Sequence, residues 1–163
     1  MKTLLIVFHS RTGGAQQMAE AAALGASATG EVSVRLMRAA DANADDLLQA
    51  DAYIFVMPEN LAAIAGVMKE FFDRTFYAVL ERIIGRSYAV LVCAGSDGAN
   101  AVRQVERICT GWRLRRATAS IIVCTHAQTK ESILAMKTIS QDELQRCEDA
   151  GAALAAGLAL GIF

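Results

Sequence analysis

The chain of 163 residues is long enough for one domain with a substantial hydrophobic core. Hydrophobic residues make up 54% of it and charged residues 20%, which favours a well-buried α/β protein over a disordered or nucleic-acid-coating one. A formal net charge of −1 provides no overall field to recruit DNA, RNA or an anionic membrane. A strand begins near the amino terminus, leaving no room for a signal peptide, and the most apolar tract, 152–163, is too short to span a bilayer. We therefore expect a soluble, cytoplasmic protein.

The first strand and the turn after it carry the strongest local signal. Residues 3–8 are an apolar run that predicts a buried strand, and residues 16–23 favour a helix. The turn between them is rich in glycine and hydroxyl residues. Free amides at the helix N-terminus point into such a turn, and the hydroxyls of Ser10 and Thr12 add donors. The pattern predicts a phosphate-binding loop, while an ordinary strand-to-helix turn that binds nothing remains an alternative.

Other loop classes fit this segment less well. A P-loop for nucleoside triphosphates needs a lysine after its last glycine, where this chain has Ala15. The dinucleotide fingerprint needs three glycines at fixed spacing, and only Gly13 and Gly14 are present. A cysteine phosphatase would place its nucleophile here, but the first cysteine is Cys93. A phosphoacceptor receiver would have acidic residues at this strand end, where the chain has His9 and a serine.

The rest of the chain alternates between apolar strands and helices. Further strands are predicted at 32–37, 52–57, 88–93 and 120–124, and helices at 44–49, 64–80, 99–110 and from the capping box Ser140-x-x-Glu143 nearly to the end. Strands that are apolar along their length and alternate with helices are typical of a parallel sheet covered on both faces. The sequence predicts one domain, residues 1–163, with a three-layer, doubly wound, five-stranded parallel α/β fold.

Three loops of this fold are expected to meet at one edge of the sheet. Ligands of such sheets bind at the carboxyl ends of the strands, near the point where the strand order reverses. The phosphate-binding loop lies there, together with residues 58–61, which contain the only proline of the chain. Residues 94–98 follow the next strand, and their two glycines permit close backbone approach to a ring. Three such loops at one edge indicate a ligand site.

The cysteines and histidines point to no metal or redox site. The four cysteines contain no CxxC pair and are far apart in sequence, so we expect buried, structural roles for them. The two histidines are equally isolated.

The three loops together resemble those of the flavodoxin-like FMN-binding proteins, and most of all the small flavodoxin/NAD(P)H-dependent flavin or quinone oxidoreductases. The matching segments are HSRTGG at 9–14, MPENL at 57–61 with KEFFDR at 69–74 behind it, and CAGSDG at 93–98. The resemblance covers nearly the whole chain and implies the strand order 2-1-3-4-5.

The resemblance also implies a cofactor, a co-substrate and a set of binding residues. The cofactor would be FMN, and NAD(P)H would supply electrons that pass to a quinone, a flavin or a similar acceptor. The implied FMN contacts are Ser10, Arg11, Thr12, Gly13, Gly14 and Ala15 around the phosphate, Pro58, Glu59, Asn60 and Leu61 at the ribityl chain and ring, and Ala94, Gly95, Ser96, Asp97 and Gly98 at the pyrimidine side of the ring. Hydride transfer needs no protein acid or base, so no catalytic residue is implied.

Two departures from the family pattern keep other functions open. Ala15 stands where the family often has a hydroxyl residue, and neither ring loop carries an aromatic residue to stack on the flavin. Electron-carrier flavodoxins are strongly acidic and have such aromatics, so this near-neutral chain looks less like a carrier. A carrier without NAD(P)H activity and a flavin-free regulatory or binding module remain the alternatives.

Two further features have both a functional and a structural interpretation. Arg113, Arg115 and Arg116 could contact the 2′-phosphate of NADPH, or they could form a solvated turn. The aromatic residues between 71 and 77 and the apolar tail 158–163 exceed what one helix face and a monomer bury, so we expect a homo-oligomer.

Overall fold

A computed structural model of the chain describes residues 1–162 as a parallel sheet with helices on both faces. The strands are β1 (Thr3–Phe8), β2 (Ser33–Arg38), β3 (Ala52–Asn60), β4 (Ala63–Ile64), β5 (Ser87–Ala94), β6 (Arg115–Arg116) and β7 (Ile121–Cys124). The helices are α1 (Gly14–Ala28), α2 (Ala44–Gln49), α3 (Gly66–Val79), α4 (Ala99–Gly111), α5 (Lys130–Leu134) and α6 (Gln141–Ala159). None of the described helices has the length and apolar character needed to cross a membrane.

The sheet has the strand order that the family resemblance implied. Strands β2, β1, β3 and β5 are parallel neighbours in that order, and β6 and β7 both pair with β5. β6 lies against the amino end of β5 and β7 against its carboxyl end, so together they form one edge of the sheet. The five predicted strands are β1, β2, β3, β5 and β7, and the doubly wound α/β prediction is confirmed.

The central strands are apolar because helices cover both of their faces. One core cluster lies on the side of α2, α3 and α4 and contains Phe55, Phe72 and Trp112. The other lies on the side of α1 and α6 and contains Met18 and Leu154. The free cysteines at 93, 109 and 147 are buried, as expected, whereas Cys124 is partly exposed.

The structure corrects the predicted start of the long helix at 64. Ala63 and Ile64 turn back as β4 against the end of β3, so α3 begins at Gly66. The hairpin turn consists of Leu61 and Ala62, whose φ angles are 50° and 60°. Turns of this kind normally use glycine or asparagine, so the sequence carried no signal for it. The short elements β6 and α5 were also missed.

The aromatic residues of α3 are better accommodated in one chain than the sequence suggested. Phe71 and Phe72 are both buried in the core. Tyr77 is the aromatic residue of this helix that lies mainly in solvent, with 82% of its surface exposed. Leu158 of the apolar tail is buried as well, and Leu160 is exposed. Phe163 lies outside the described residues.

Helices α1 and α6 approach each other through a reciprocal pair of glycines. A Cβ atom added to Gly25 would lie 2.0 Å from the carbonyl oxygen of Glu148, and one added to Gly151 would lie 2.0 Å from that of Ala22. Both contacts are with backbone, so no side chain can move away to relieve them. The two helix axes can lie this close only while both positions are glycine.

We expect Gly25→Ala or Gly151→Ala to lower the free energy of unfolding by about 2–3 kcal/mol, because each added methyl forces the two backbones apart. Gly66→Ala is the matched control, since a Cβ at Gly66 meets no atom within 4 Å. Alanine is also the better helix former, so Gly66→Ala should be neutral or stabilise by about 0.5 kcal/mol. Urea denaturation of the three variants measures this, and equal effects of all three would contradict the packing argument.

Candidate functional site

A cavity of about 500 Å³ lies at the carboxyl edge of the sheet, where the three loops meet. It is bounded by the ends of β3 and β5, by the turn after β1, and by the segment that follows β7. Its lining residues are Arg11, Thr12, Pro58, Glu59, Asn60, Leu61, Cys93, Ala94, Gly95, Ser96, Thr125, Ala127, Gln128, Ile133, Leu134 and Lys137.

The turn between β1 and α1 offers several unpaired backbone donors. Gly13 has a φ of 86° and caps α1, and its amide donates to Ser10 Oγ at 3.1 Å. Within residues 1–162, the amides of Arg11, Thr12, Gly14 and Ala15 have no hydrogen-bond acceptor. Unpaired amides at the positive end of a helix of 15 residues attract an anion. This turn, residues 10–15, is called the phosphate-binding loop below.

The loop after β3 is held in a strained conformation by side chains of α4. The left-handed residues Leu61 and Ala62 cost of order 1–3 kcal/mol each. Asn100 Nδ2 donates to Ala62 O at 2.6 Å, and Gln104 Oε1 accepts from the Ile64 amide at 2.8 Å. The turn therefore holds Leu61, which is fully exposed, at the mouth of the cavity.

Glu59, next to last in β3, joins the end of this strand to the loop after β5. β3 extends to Asn60, so of residues 58–61, which the sequence predicted as a loop, only Leu61 lies beyond the strand. Its Oε2 accepts from the amide of Gly98 at 2.9 Å. Gly98 caps α4 with a φ of 85°, and a Cβ there would lie 2.8 Å from a methyl group of Ile122. The carboxylate stands at the positive end of α4, where a negative charge is favourable. The carboxylate of Glu59 thus holds the end of β3 against the start of α4.

A further segment, which the sequence analysis did not predict, covers one side of the cavity. It runs from Thr125 to Ile139, includes α5, and is called the cover segment below. Lys137 Nζ donates to three carbonyl oxygens at the end of α5, at 2.8, 2.9 and 2.5 Å. The Lys137 amide donates to Thr12 O at 2.8 Å, so the cover segment is attached directly to the phosphate-binding loop.

The thiol of Cys93 lies between the phosphate-binding loop and the sheet. Its Sγ is 2.6 Å from the position that a Cβ on Gly14 would take. Burial raises the pKa of this thiol to about 11, although Lys137 opposes that shift. The thiol is therefore protonated at neutral pH, and Cys93 packs in the site without serving as a nucleophile.

The structure brings the predicted site residues together at one edge. Those that line the cavity are Arg11, Thr12, Pro58, Glu59, Asn60, Leu61, Ala94, Gly95 and Ser96. The others belong to the first and third loops but do not line the cavity: Ser10, Gly13, Gly14, Ala15, Asp97 and Gly98. The lining residues absent from the prediction are Cys93, which is next to last in β5, Thr125, which directly follows β7, and the other lining residues of the cover segment. Strand ends at this edge could have indicated the first two, whereas the cover segment has no clear periodicity.

A family comparison agrees with this arrangement of loops. The family model described as Flavodoxin matches residues 6–149, which include the three loops and the whole cover segment. The chain belongs to the flavodoxin family. Proteins of this family bind FMN.

Two curated relatives match part of the chain. A protein named Flavodoxin from Aquifex aeolicus is 33% identical over 97 residues, covering 60% of this chain and 50% of the relative. A protein named NAD(P)H dehydrogenase (quinone) from Acidithiobacillus ferrooxidans is 31% identical over 118 residues, covering 60% of this chain and 59% of the relative. The matched regions thus span about half to three fifths of these relatives.

Solved structures share the fold over nearly the whole chain. A flavodoxin from the domain Archaea superposes with a TM-score of 0.78 at 20% identity, covering 96% of this chain and 98% of that one. A WrbA-like flavodoxin from Agrobacterium tumefaciens gives a TM-score of 0.72 at 18% identity and covers 99% of both chains.

The arginine cluster does not lie at this site. Arg115 and Arg116 form β6, which pairs with Ser87 and Tyr88 at the amino end of β5, whereas the cavity lies at the carboxyl end. Arg116 forms an ion pair with Glu106 at 2.8 Å. The cluster is exposed at the amino end of β5, which favours the interpretation as a solvated turn over a contact with the 2′-phosphate of NADPH.

His9, the residue directly before the phosphate-binding loop, has a lowered pKa. Burial is the main cause that lowers its pKa from the ordinary value of 6.5, and the cations Arg38 and Arg11 lower it further. The folded protein therefore binds this proton less tightly than the unfolded chain does. His9 contributes stability that is present above pH 6.5 and is lost as the pH falls through the folded pKa.

We expect Arg38→Gln to raise the pKa of His9 while leaving it below 6.5, because one cation is removed and burial remains. Arg107→Gln, which removes an exposed arginine from α4, should leave the His9 titration unchanged. Titration of the His9 imidazole by NMR measures both variants. An unaltered pKa in Arg38→Gln would show that the cation does not act on His9.

Proposed function

We propose that this protein binds FMN at the cavity and transfers electrons from NAD(P)H, through the flavin, to a quinone, a flavin or a similar acceptor. The observation that carries the proposal is the set of unpaired amides at the start of α1, directly beside the cavity. An anion-binding loop next to an open, largely apolar cavity suits a ligand with a phosphate at one end and a planar ring at the other.

The residues at the site fit FMN. The phosphate-binding loop offers four free amides and the hydroxyls of Ser10 and Thr12 to a phosphate. Arg11 and Lys137 add positive charge to the cavity wall, and its one carboxylate, Glu59, already accepts a bond from Gly98. The cavity volume of about 500 Å³ lies in the range of small-molecule sites.

The chemistry that FMN supplies when bound is acceptance of a hydride equivalent from NAD(P)H and delivery of electrons to an acceptor. The residues of this chain bind and orient. Pro58 and Gly95 would hold a ring through their backbone, and Asn60 and Ser96 would offer hydrogen bonds to it. The lining residues include no aromatic side chain to cover a ring, so the cavity would leave room for a nicotinamide and then for an acceptor.

A flavodoxin-type electron carrier without NAD(P)H activity is the second candidate. The name of the Aquifex relative and the match in length to the archaeal flavodoxin favour it. The near-neutral charge and the open ring face favour the enzyme. A flavin-free binding module is the third candidate, favoured by the missing hydroxyl at Ala15.

The first test is titration of the purified apo-protein with FMN, followed by quenching of flavin fluorescence. We expect saturable binding of one FMN per chain. Thr12→Val should weaken FMN binding by about tenfold or more, because a hydrogen bond to a charged phosphate is lost. Riboflavin, which lacks the phosphate, should bind the variant and the wild type alike. Absence of FMN binding at tens of micromolar would reject the proposal and favour the flavin-free module.

The second measurement separates the enzyme from the carrier. The FMN-loaded protein is mixed with NADH or NADPH and a quinone, and oxidation of the nicotinamide is followed by its absorbance. Catalytic turnover supports the oxidoreductase. Binding of FMN without turnover with either nicotinamide would assign the protein to the carriers.

We further propose that the protein forms a homo-oligomer. The exposed apolar residues Tyr77, Ile84, Leu160 and Ile162 support this, since water contacts 82%, 48%, 72% and 64% of their surfaces. Sedimentation velocity at micromolar concentration should show a species of at least twice the chain mass. A purely monomeric profile would refute the oligomer.

A further inference from the structure

The side chain of Gln17 links two segments that are far apart in sequence. Its Nε2 donates to Lys137 O at 2.7 Å and to Gly13 O at 3.0 Å. Its Oε1 accepts from the Ile139 amide at 3.1 Å. One carboxamide thus forms hydrogen bonds to the phosphate-binding loop and to the cover segment. In the cover segment it bonds one carbonyl oxygen and one amide.

The cover segment has little packing of its own to hold it in place. None of the residues of α5 is buried, and Ile133 and Leu134 line the cavity while about half of each side chain is exposed. Ile139, at the end of the segment, is buried in the core beside Gly14. At its start, the segment is tied to β5 by the amide and the hydroxyl of Thr125, which donate to Ala94 O at 2.8 and 3.2 Å. Between Thr125 and the buried Ile139, the ties to the phosphate-binding end of the molecule are the bonds of Gln17 and the bond from the Lys137 amide to Thr12 O.

We propose that Gln17 is a positioning residue of the cofactor site. Its carboxamide holds the cover segment against the phosphate-binding loop and thereby fixes Leu134 and Lys137 at the cavity wall. The consequence for binding rests on the proposed FMN function. The phosphate of the ligand would contact the phosphate-binding loop, and its ring would contact the cover segment. Gln17 holds these two parts of the site at a fixed distance from each other.

The neighbouring glutamine is a matched control. Gln16 Nε2 donates to Glu20 at 2.8 Å on the outer face of α1 and makes no bond to the cover segment. Gln16→Ala and Gln17→Ala therefore make the same chemical change at adjacent residues of the same helical turn. Only Gln17→Ala removes the ties to the cover segment.

The test measures FMN affinity and hydrogen exchange for both variants. We expect Gln17→Ala to raise the FMN Kd about tenfold, and Gln16→Ala to leave it within a factor of two. In the apo-protein, Gln17→Ala should accelerate exchange of the Ile139 and Lys137 amides, whereas Gln16→Ala should not. The exchange measurement requires no flavin, so it tests the tie even if FMN does not bind.

A double-mutant cycle shows whether Gln17 acts through the cover segment. Leu134→Ala should weaken FMN binding in the wild-type background and have little further effect beside Gln17→Ala, because the segment is already displaced. An unchanged Kd in Gln17→Ala, or losses that simply add, would overturn the positioning role. Unchanged exchange of the Ile139 amide would overturn the tie itself. Failure of the wild type to bind FMN would reject the proposed function and leave the exchange result to decide the tie.

Discussion

The close approach of α1 and α6 determines how the phosphate-binding end of the molecule is built. Gly25 and Gly151 let the two backbones touch, and α6, which begins beside the phosphate-binding loop, runs alongside α1 away from that loop. Ile139, two residues before α6, consequently lies beside Gly14 and within reach of Gln17. The start of α1 thus carries the unpaired amides, and its Gln17 anchors the cover segment.

The electrostatics of the site suit an anionic ligand and require no ionisable catalyst. Two cations, Arg11 and Lys137, line the cavity, and the carboxylate of Glu59 is bonded to the start of α4. Cys93 is protonated at neutral pH because burial raises its pKa to about 11, and burial lowers the pKa of His9. Under the proposed function, the chain would bind and orient its ligands through backbone amides and fixed charge, which is what transfer of a hydride equivalent demands of a protein.

The sequence was informative where a local pattern matches a repeated structure. Apolar strands and the glycine-rich turn after β1 predicted the sheet and the edge at which the loops meet, and the family resemblance of the loops implied the strand order. The hairpin at Leu61 and Ala62 escaped prediction because its left-handed residues are neither glycine nor asparagine, and tertiary bonds from Asn100 and Gln104 hold it. The cover segment escaped because bonds to a distant glutamine, and not its own periodicity, place it.

The cavity is formed between two separately braced pairs of segments. The end of β3 and the loop after β5 are joined by Glu59 and by the side chains of α4 that hold the hairpin. The phosphate-binding loop and the cover segment are joined by Gln17 and by the bond from Lys137 to Thr12. A ligand that spans the cavity contacts both pairs, so part of its binding free energy is spent in fixing one relative to the other. The segments within each pair are already ordered before the ligand arrives, which reduces that cost and favours binding of an extended, rigid molecule at this edge.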